Sequence, residues 1–453
     1  MMYYAGSFGP KRLLNDELRQ LNEEGFFISD ELRAEAQLLE DNSAYADFQA
    51  FYDKLKNLPK KSDFNFYEPD SITEIRAARP ARRMAKKEFP KDFDLLYDRY
   101  HGAWLGRCAG CALGKPVEFN VNENYLWIKT YLQNRNEWPL RDFFSARNVN
   151  DNMDLACPLS QRENIAFMES DDDIRYTILA MLLFEKHGSN FAPYDVARLW
   201  GENLTHYQLF TAEKHAFLNF AMFEAYKGKD LNADFTSTFN NPYREYIGAQ
   251  IRADFYGYMA PGDTEKAAEY AYRDACWTHR KNGIYGAMFI AAAVAAAFVT
   301  DDIEEIIYAG LGEIPENCRL AYEIRQALQV IPTCKDMHEF ADYAAKRYQA
   351  MSAVHTIGNA VLCVGALIFG GKDPDRSVCE AVMGGFDTDC NGATVGSIVG
   401  IIAGGRNFGG TLATRLNNLV KSGLQAVGDI QITELARRTT DVYLKSSSPV
   451  SEC

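Results

Sequence analysis

Three adjacent aspartates, Asp171, Asp172 and Asp173, follow Ser170 and lead straight into IRYTILAMLLFEKHG. Ile174, Ile178, Met181 and Leu182 share one helical face, and Lys186, His187 and Gly188 make a helix ending, so the acids stand at a helix start. One or two carboxylates there need no further explanation, because free N–H groups and the helix dipole favour negative charge. Three in a row repel one another, and a hard divalent cation would let all three stay ionised in a cleft. A second acidic stretch, GGFDTDCNGA at 384–393, carries Asp387, Asp389, Asn391 and Gly392 into a small, apolar run. It opens like an EF-hand loop, but Ile398 stands at the twelfth position, where that loop needs a bidentate glutamate. What is left is a glycine-rich turn that can wrap an ion, present backbone N–H groups to an anion, or simply cap a helix. If the two helices pack side by side, five carboxylates converge, an all-oxygen donor set suited to Mg²⁺ or Mn²⁺ rather than zinc.

Other motifs carry less. Cys108 and Cys111 form a lone CxxC with no second pair at zinc spacing. The run from Gly110 to Pro116 is one residue short of a Walker A loop and has proline where a hydroxyl must meet Mg²⁺. No GxSxG elbow is present, which leaves a serine hydrolase of that kind without support. His279 and His355 lie near glycine- and alanine-rich helices, where a hydrogen-bonded structural histidine is the usual outcome.

From about Asp92 to Leu444 the chain is a succession of apolar-periodic segments broken by glycine clusters, with few alternating β-branched runs, and this predicts an all-α fold. Residues 1–90 differ in texture, with polar helical patterns followed by the basic stretch RAARPARRMAKKEFP. They read as a helical extension and linker ahead of a catalytic domain at 91–453. Gly102, Gly106, Gly110 and Gly114 fall on one helical face, which marks a backbone closely approached by another helix or by a ligand. The stretch from Asn282 to Thr300 carries no charge, and its glycines and alanines suit a buried central helix better than a membrane span. The chain has 62 acidic against 48 basic side chains, and the net charge of −14 argues against a nucleic-acid partner. No secretory signal opens the sequence, and ten cysteines without framework spacing fit thiols in a reducing cytoplasm.

Taken in order, the GCALGKPVE run ending at Glu118, the three aspartates and GGFDTDCNGATVG resemble the ADP-ribosylglycohydrolase family. The resemblance implies a compact orthogonal multi-helix fold and a binuclear Mg²⁺ centre. It also implies hydrolysis of an ADP-ribosyl bond on a protein side chain or a small molecule. It assigns Asp171, Asp172, Asp173, Asp387 and Asp389 to the metals, Glu118 and Asp172 to proton transfer, and Gly114, Asn391, Gly392 and His355 to substrate. Three positions depart from the family pattern: Asp171 replaces a threonine, Cys111 an aspartate and Cys390 a threonine. These departures keep two alternatives open, a binding or structural protein on the same fold and a hydrolase of another ribosyl or phosphoester substrate.

Overall fold

The computed structural model describes residues 9–119, 121, 123–225 and 234–446. Residues 1–8, which include most of the stretch read as lacking a secretory signal, lie outside these, as does Cys453. The fold is all-α: twenty-one α-helices among the described residues, with a single antiparallel pair of short strands, Leu419–Lys421 and Asp429–Gln431.

The glycine face decides the architecture. The Phe93–Gly114 helix runs antiparallel to the Thr388–Ala403 helix, with glycine against glycine along the contact. A Cβ on Gly102, Gly106 or Gly110 would meet the carbonyl oxygen of Gly400, Gly396 or Gly392 at 2.1, 1.9 and 1.9 Å, and the reverse substitutions meet the same obstacle. Bare backbone on both sides allows the helices to touch, which recovers in dispersion contact what glycine loses in helix propensity. The two readings left open for this stripe are thereby resolved in favour of helix packing. Antiparallel order also sets the end of the first helix beside the start of the second, so that Gly114 abuts Asp389 and Thr388.

The charge-free Asn282–Ala297 helix is buried at every residue and packs inside the domain. Among the described residues no helix is long and apolar enough to cross a membrane.

The Pro10–Glu23 helix and those that follow it have a small core of their own around Leu14, Leu18, Leu21, Phe48 and Phe51. This unit is held to the rest by buried ion pairs: Arg244 with Glu17 and Glu24, and Lys281 with Glu24. The basic stretch after it is neutralised within the chain. Arg76 pairs with Glu269, Arg79 with Glu265 and Glu313, Lys86 with Asp263 and Lys87 with Glu305. Most of its positive charge therefore secures a surface strap, with Arg82 left exposed.

Candidate metal centre

The first acidic stretch folds as a capped helix. Asp171 is the N-cap of the Asp172–His187 helix and accepts a hydrogen bond from the Asp173 amide at 3.1 Å. Arg107, fully buried on the glycine-stripe helix, donates to the Asp173 carbonyl at 2.7 Å and pairs with Asp254, which ties this turn to the central helices. The second stretch needs an unusual turn. Gly385 and Phe386 both take left-handed conformations, at φ +80° and +61°, and for phenylalanine that region is strained. The Asn124 side chain holds it in place, accepting from the Phe386 amide at 2.7 Å and donating to its carbonyl at 2.8 Å. Asn359 accepts from the Asp387 amide at 3.1 Å and from the Asn391 side chain at 2.9 Å. Asp387 then precedes the Thr388–Ala403 helix and Asp389 lies in its first turn.

Two groups of donors result. Cys111, Asp171, Asp173 and Asp389 bring their ligand atoms within 4.8 Å of one another, and so do Glu118, Asp387 and Asp389. Asp389 belongs to both. Asp173 and Asp389 are each 3% exposed, and each keeps one carboxylate oxygen, Oδ1, buried without a hydrogen-bond partner. Burial, followed by the charges of their neighbours, holds the carboxyls of Glu118, Asp173 and Asp387 well above the usual range. The same causes push Asp389 up to about 6 and Asp172 up to about 8. Asp171 differs: burial raises it, but the charge and hydrogen bond of Lys115, at 2.9 Å, together with the Arg175 charge and the Asp173 amide, outweigh burial and keep it low.

A family model for ADP-ribosylglycohydrolases matches residues 93–447, more than three quarters of the sequence and all of the site just described. The chain belongs to the ADP-ribosylglycohydrolase family. It also resembles a solved chain described as part of an ADP-ribosylglycohydrolase-related protein complex. That match has 16% identity and a TM-score of 0.49, and covers 78% of this chain and 100% of the other. Among curated proteins none matches.

A divalent ion suits what this site presents. Orphaned buried carboxylate oxygens are costly unless a cation or donor meets them, and hard oxygen donors at this density are the ligands Mg²⁺ and Mn²⁺ take. The expected residues divide. Asp171, Asp173, Asp387, Asp389 and Glu118 converge, whereas Asp172 is half-buried at the rim and belongs to neither group.

The four residues assigned to substrate each have a structural role in the fold. Gly114 provides clearance for the Asp389 backbone, which a Cβ would approach to 2.3 Å, and Gly392 does the same for Gly110. Asn391 is completely buried, with its amide donating to Asn359 and its oxygen accepting from Cys363, so it braces the turn. His355 is also completely buried. It caps the Thr356–Gly370 helix by accepting from the Ile357 amide at 3.2 Å, and its other nitrogen faces Glu23 of the N-terminal helix at 3.7 Å. None of the four presents a polar side-chain group to an open surface in this structure.

Cys111, read as a departure from the family pattern, contributes its sulfur to the first donor group. Burial, reinforced by Asp171 and Asp173, keeps its thiol far above the usual range. Cys390, also buried, joins neither group. Lys115, Arg107, Asn124 and Asn359 escaped the sequence reading. Only Lys115 carried a signal there, being a cation inside the first motif.

Proposed function

We propose that this chain is a divalent-metal-dependent glycohydrolase that cleaves the bond between an ADP-ribosyl group and a protein side chain or small molecule. The observation that carries the reading is the pair of carboxylate groups joined at Asp389, with buried oxygens that lack partners. Asp171, Asp173 and Asp389 on one side, and Glu118, Asp387 and Asp389 on the other, are the carboxylates available to hold Mg²⁺ or Mn²⁺. When bound, the metal would polarise the ribose hydroxyls and lower the pKa of a bound water.

The chain's own groups supply the rest. Glu118, half-buried at the end of the Lys115–Val117 turn, and Asp172, at the rim, are the carboxyls able to move a proton at the scissile bond. A groove of about 840 Å³ begins at Phe119, next to Glu118, and is lined also by Arg19, Asn124, Trp127 and Ser352. Phe119 and Trp127 meet edge to face at 4.7 Å and offer an aromatic surface to a nucleobase, while Arg19 offers a guanidinium to phosphate. We assign the reaction to the catalytic domain from residue 91 onward and the Arg19 contact to the extension at 1–90. We also place the protein in the cytoplasm, where its cysteines stay reduced; no described cysteine is paired.

The decisive experiment incubates purified protein and Mg²⁺ with substrates modified on arginine, serine and asparagine and with small ADP-ribosyl compounds. Released ADP-ribose, abolished by EDTA, is expected; no release from any of them would remove the reading. The presence of Lys115 and Cys111 inside the donor groups favours one alternative, a binder without turnover. Calorimetry with ADP-ribose distinguishes it, since tight binding without hydrolysis supports the alternative.

Metal affinity is expected to depend on pH. Carboxyls held above their ordinary range keep protons in the folded chain that the unfolded chain releases above about pH 4. Their joint contribution to the metal-free protein therefore lowers stability as pH rises, through about 6 for Asp389 and about 8 for Asp172. A cation displaces the protons held by its own ligands, Asp389 among them. The rise in melting temperature on adding Mg²⁺ should accordingly grow between about pH 5.5 and about pH 8. A rise that shrinks with pH would contradict this assignment of the carboxyls.

A further inference from the structure

The two donor groups differ in the cations that contact them, and Lys115 makes most of the difference. Lys115 follows Gly114 at the end of the glycine-stripe helix and opens the short turn that leads to Glu118. Its ammonium is buried inside the first group, 2.9 Å from the Asp171 carboxylate, and donates to the Ser170 carbonyl at 3.0 Å. Arg107 supplies a second cation 3.8 Å from Asp173, although its main partner is Asp254. The second group has no cation in direct contact, and the Lys115 charge reaches Glu118 and Asp389 only through space. Among the described residues no lysine, arginine or histidine side chain approaches Glu118, Asp387 or Asp389 within ion-pair distance, and Asp389 Oδ1 is buried without a partner.

A lysine held by backbone and carboxylate cannot diffuse away. A divalent ion entering the first group would meet this fixed positive charge at close range in a poorly solvated site, where like charges are weakly screened. It would also find Asp171 already engaged and a thiol, Cys111, where a further carboxylate would have attracted it. Resting on the metal-dependent reading above, we propose that the Lys115 ammonium takes the place of one of two divalent ions. The chain then binds a single ion, through Glu118, Asp387 and Asp389, and Lys115 provides the second positive charge at Asp171.

Ion counting tests this without reference to turnover. Wild type, Lys115→Ala, Lys115→Met and Lys115→Arg are dialysed against Mn²⁺, and bound metal per chain is measured together with the Mn²⁺ electron paramagnetic resonance signal. Circular dichroism checks that each is folded, and the methionine variant keeps the aliphatic stem should alanine fail to fold. One ion is expected in wild type and Lys115→Arg, and two in the folded alanine or methionine variant. Two ions in wild type would overturn the lysine's role while leaving the metal-dependent reading intact, as would a single ion in wild type and in both neutral variants. No bound ion in any of them would overturn the metal-dependent reading itself, and this inference with it.

Discussion

Asp389→Asn is expected to remove divalent-ion binding and lower kcat/KM by roughly a thousand-fold, a loss of about 4 kcal/mol in transition-state stabilisation. The size of the effect follows from position. Asp389 is the one carboxylate shared by both donor groups, so neutralising it weakens each at once, whereas Asp171 or Asp387 serves one alone. Asparagine keeps the shape and the helical first turn, so the fold should survive. In EDTA the variant should melt level with wild type or slightly higher, because one charge has been taken out of a crowded set of buried acids. With Mg²⁺ the two should part. Wild type gains RT ln(1 + [L]/Kd), about 2.7 kcal/mol at a hundredfold excess over Kd, and the variant should gain almost none. Melting curves with and without the ion check this. A wild type indifferent to Mg²⁺, or a variant that loses about 1 kcal/mol in both conditions as a lost cap would, defeats the metal assignment.

Gly106→Ala should destabilise by more than about 4 kcal/mol, although alanine is the better helix former by ~1 kcal/mol. The added Cβ would lie 1.9 Å from the Gly396 carbonyl oxygen and 2.5 Å from its carbon. Backbone cannot rotate out of the way as a side chain can, so the two helices must separate and lose contact along their length. A comparison within the same protein isolates the cause. Gly201, in the Pro193–Asn203 helix, is exposed, and a Cβ there meets nothing closer than 3.9 Å, so Gly201→Ala should stabilise by up to ~1 kcal/mol. Urea unfolding of both variants gives the two signs directly. A stable Gly106→Ala protein would mean that the helices do not touch at this glycine.

The second prediction bears on the first, because the glycine contact is what delivers Asp389 to the site. Separation of the Phe93–Gly114 and Thr388–Ala403 helices would move Lys115 and Glu118 away from Asp387 and Asp389. Loss of metal binding in a partly folded Gly106 variant would therefore have a geometric cause, with every carboxylate still present.

Local chemistry made much of this legible before any coordinates. Three consecutive aspartates before an apolar helix, and two alternate aspartates in a glycine-rich turn, announce helix N-termini rich in negative charge. Dipole, capping and repulsion act within a few residues and need no tertiary knowledge. Glycines every fourth residue likewise announced a close backbone approach, since their period is that of one helical face. The all-α fold followed from the same periodicity.

What is coupled across the chain was not legible. A glycine stripe does not say which element fills it, and only the antiparallel match of Gly102, Gly106 and Gly110 to Gly400, Gly396 and Gly392 brings residues near 114 and 389 together. Asp172 and Asp173 are equivalent in sequence, yet helical rotation sends Asp173 inward to the donor group and leaves Asp172 at the rim. Asn391 and His355 are polar residues beside motifs, and whether such a group meets substrate or satisfies a buried backbone depends on neighbours far away in the chain. Here Asn359 and Cys363 engage Asn391, and the Ile357 amide engages one nitrogen of His355. Lys115 shows the limit most plainly. Its charge is visible in the sequence, but the carboxylate it neutralises is 56 positions away, and only the packing of one helix end against another start decides that they meet.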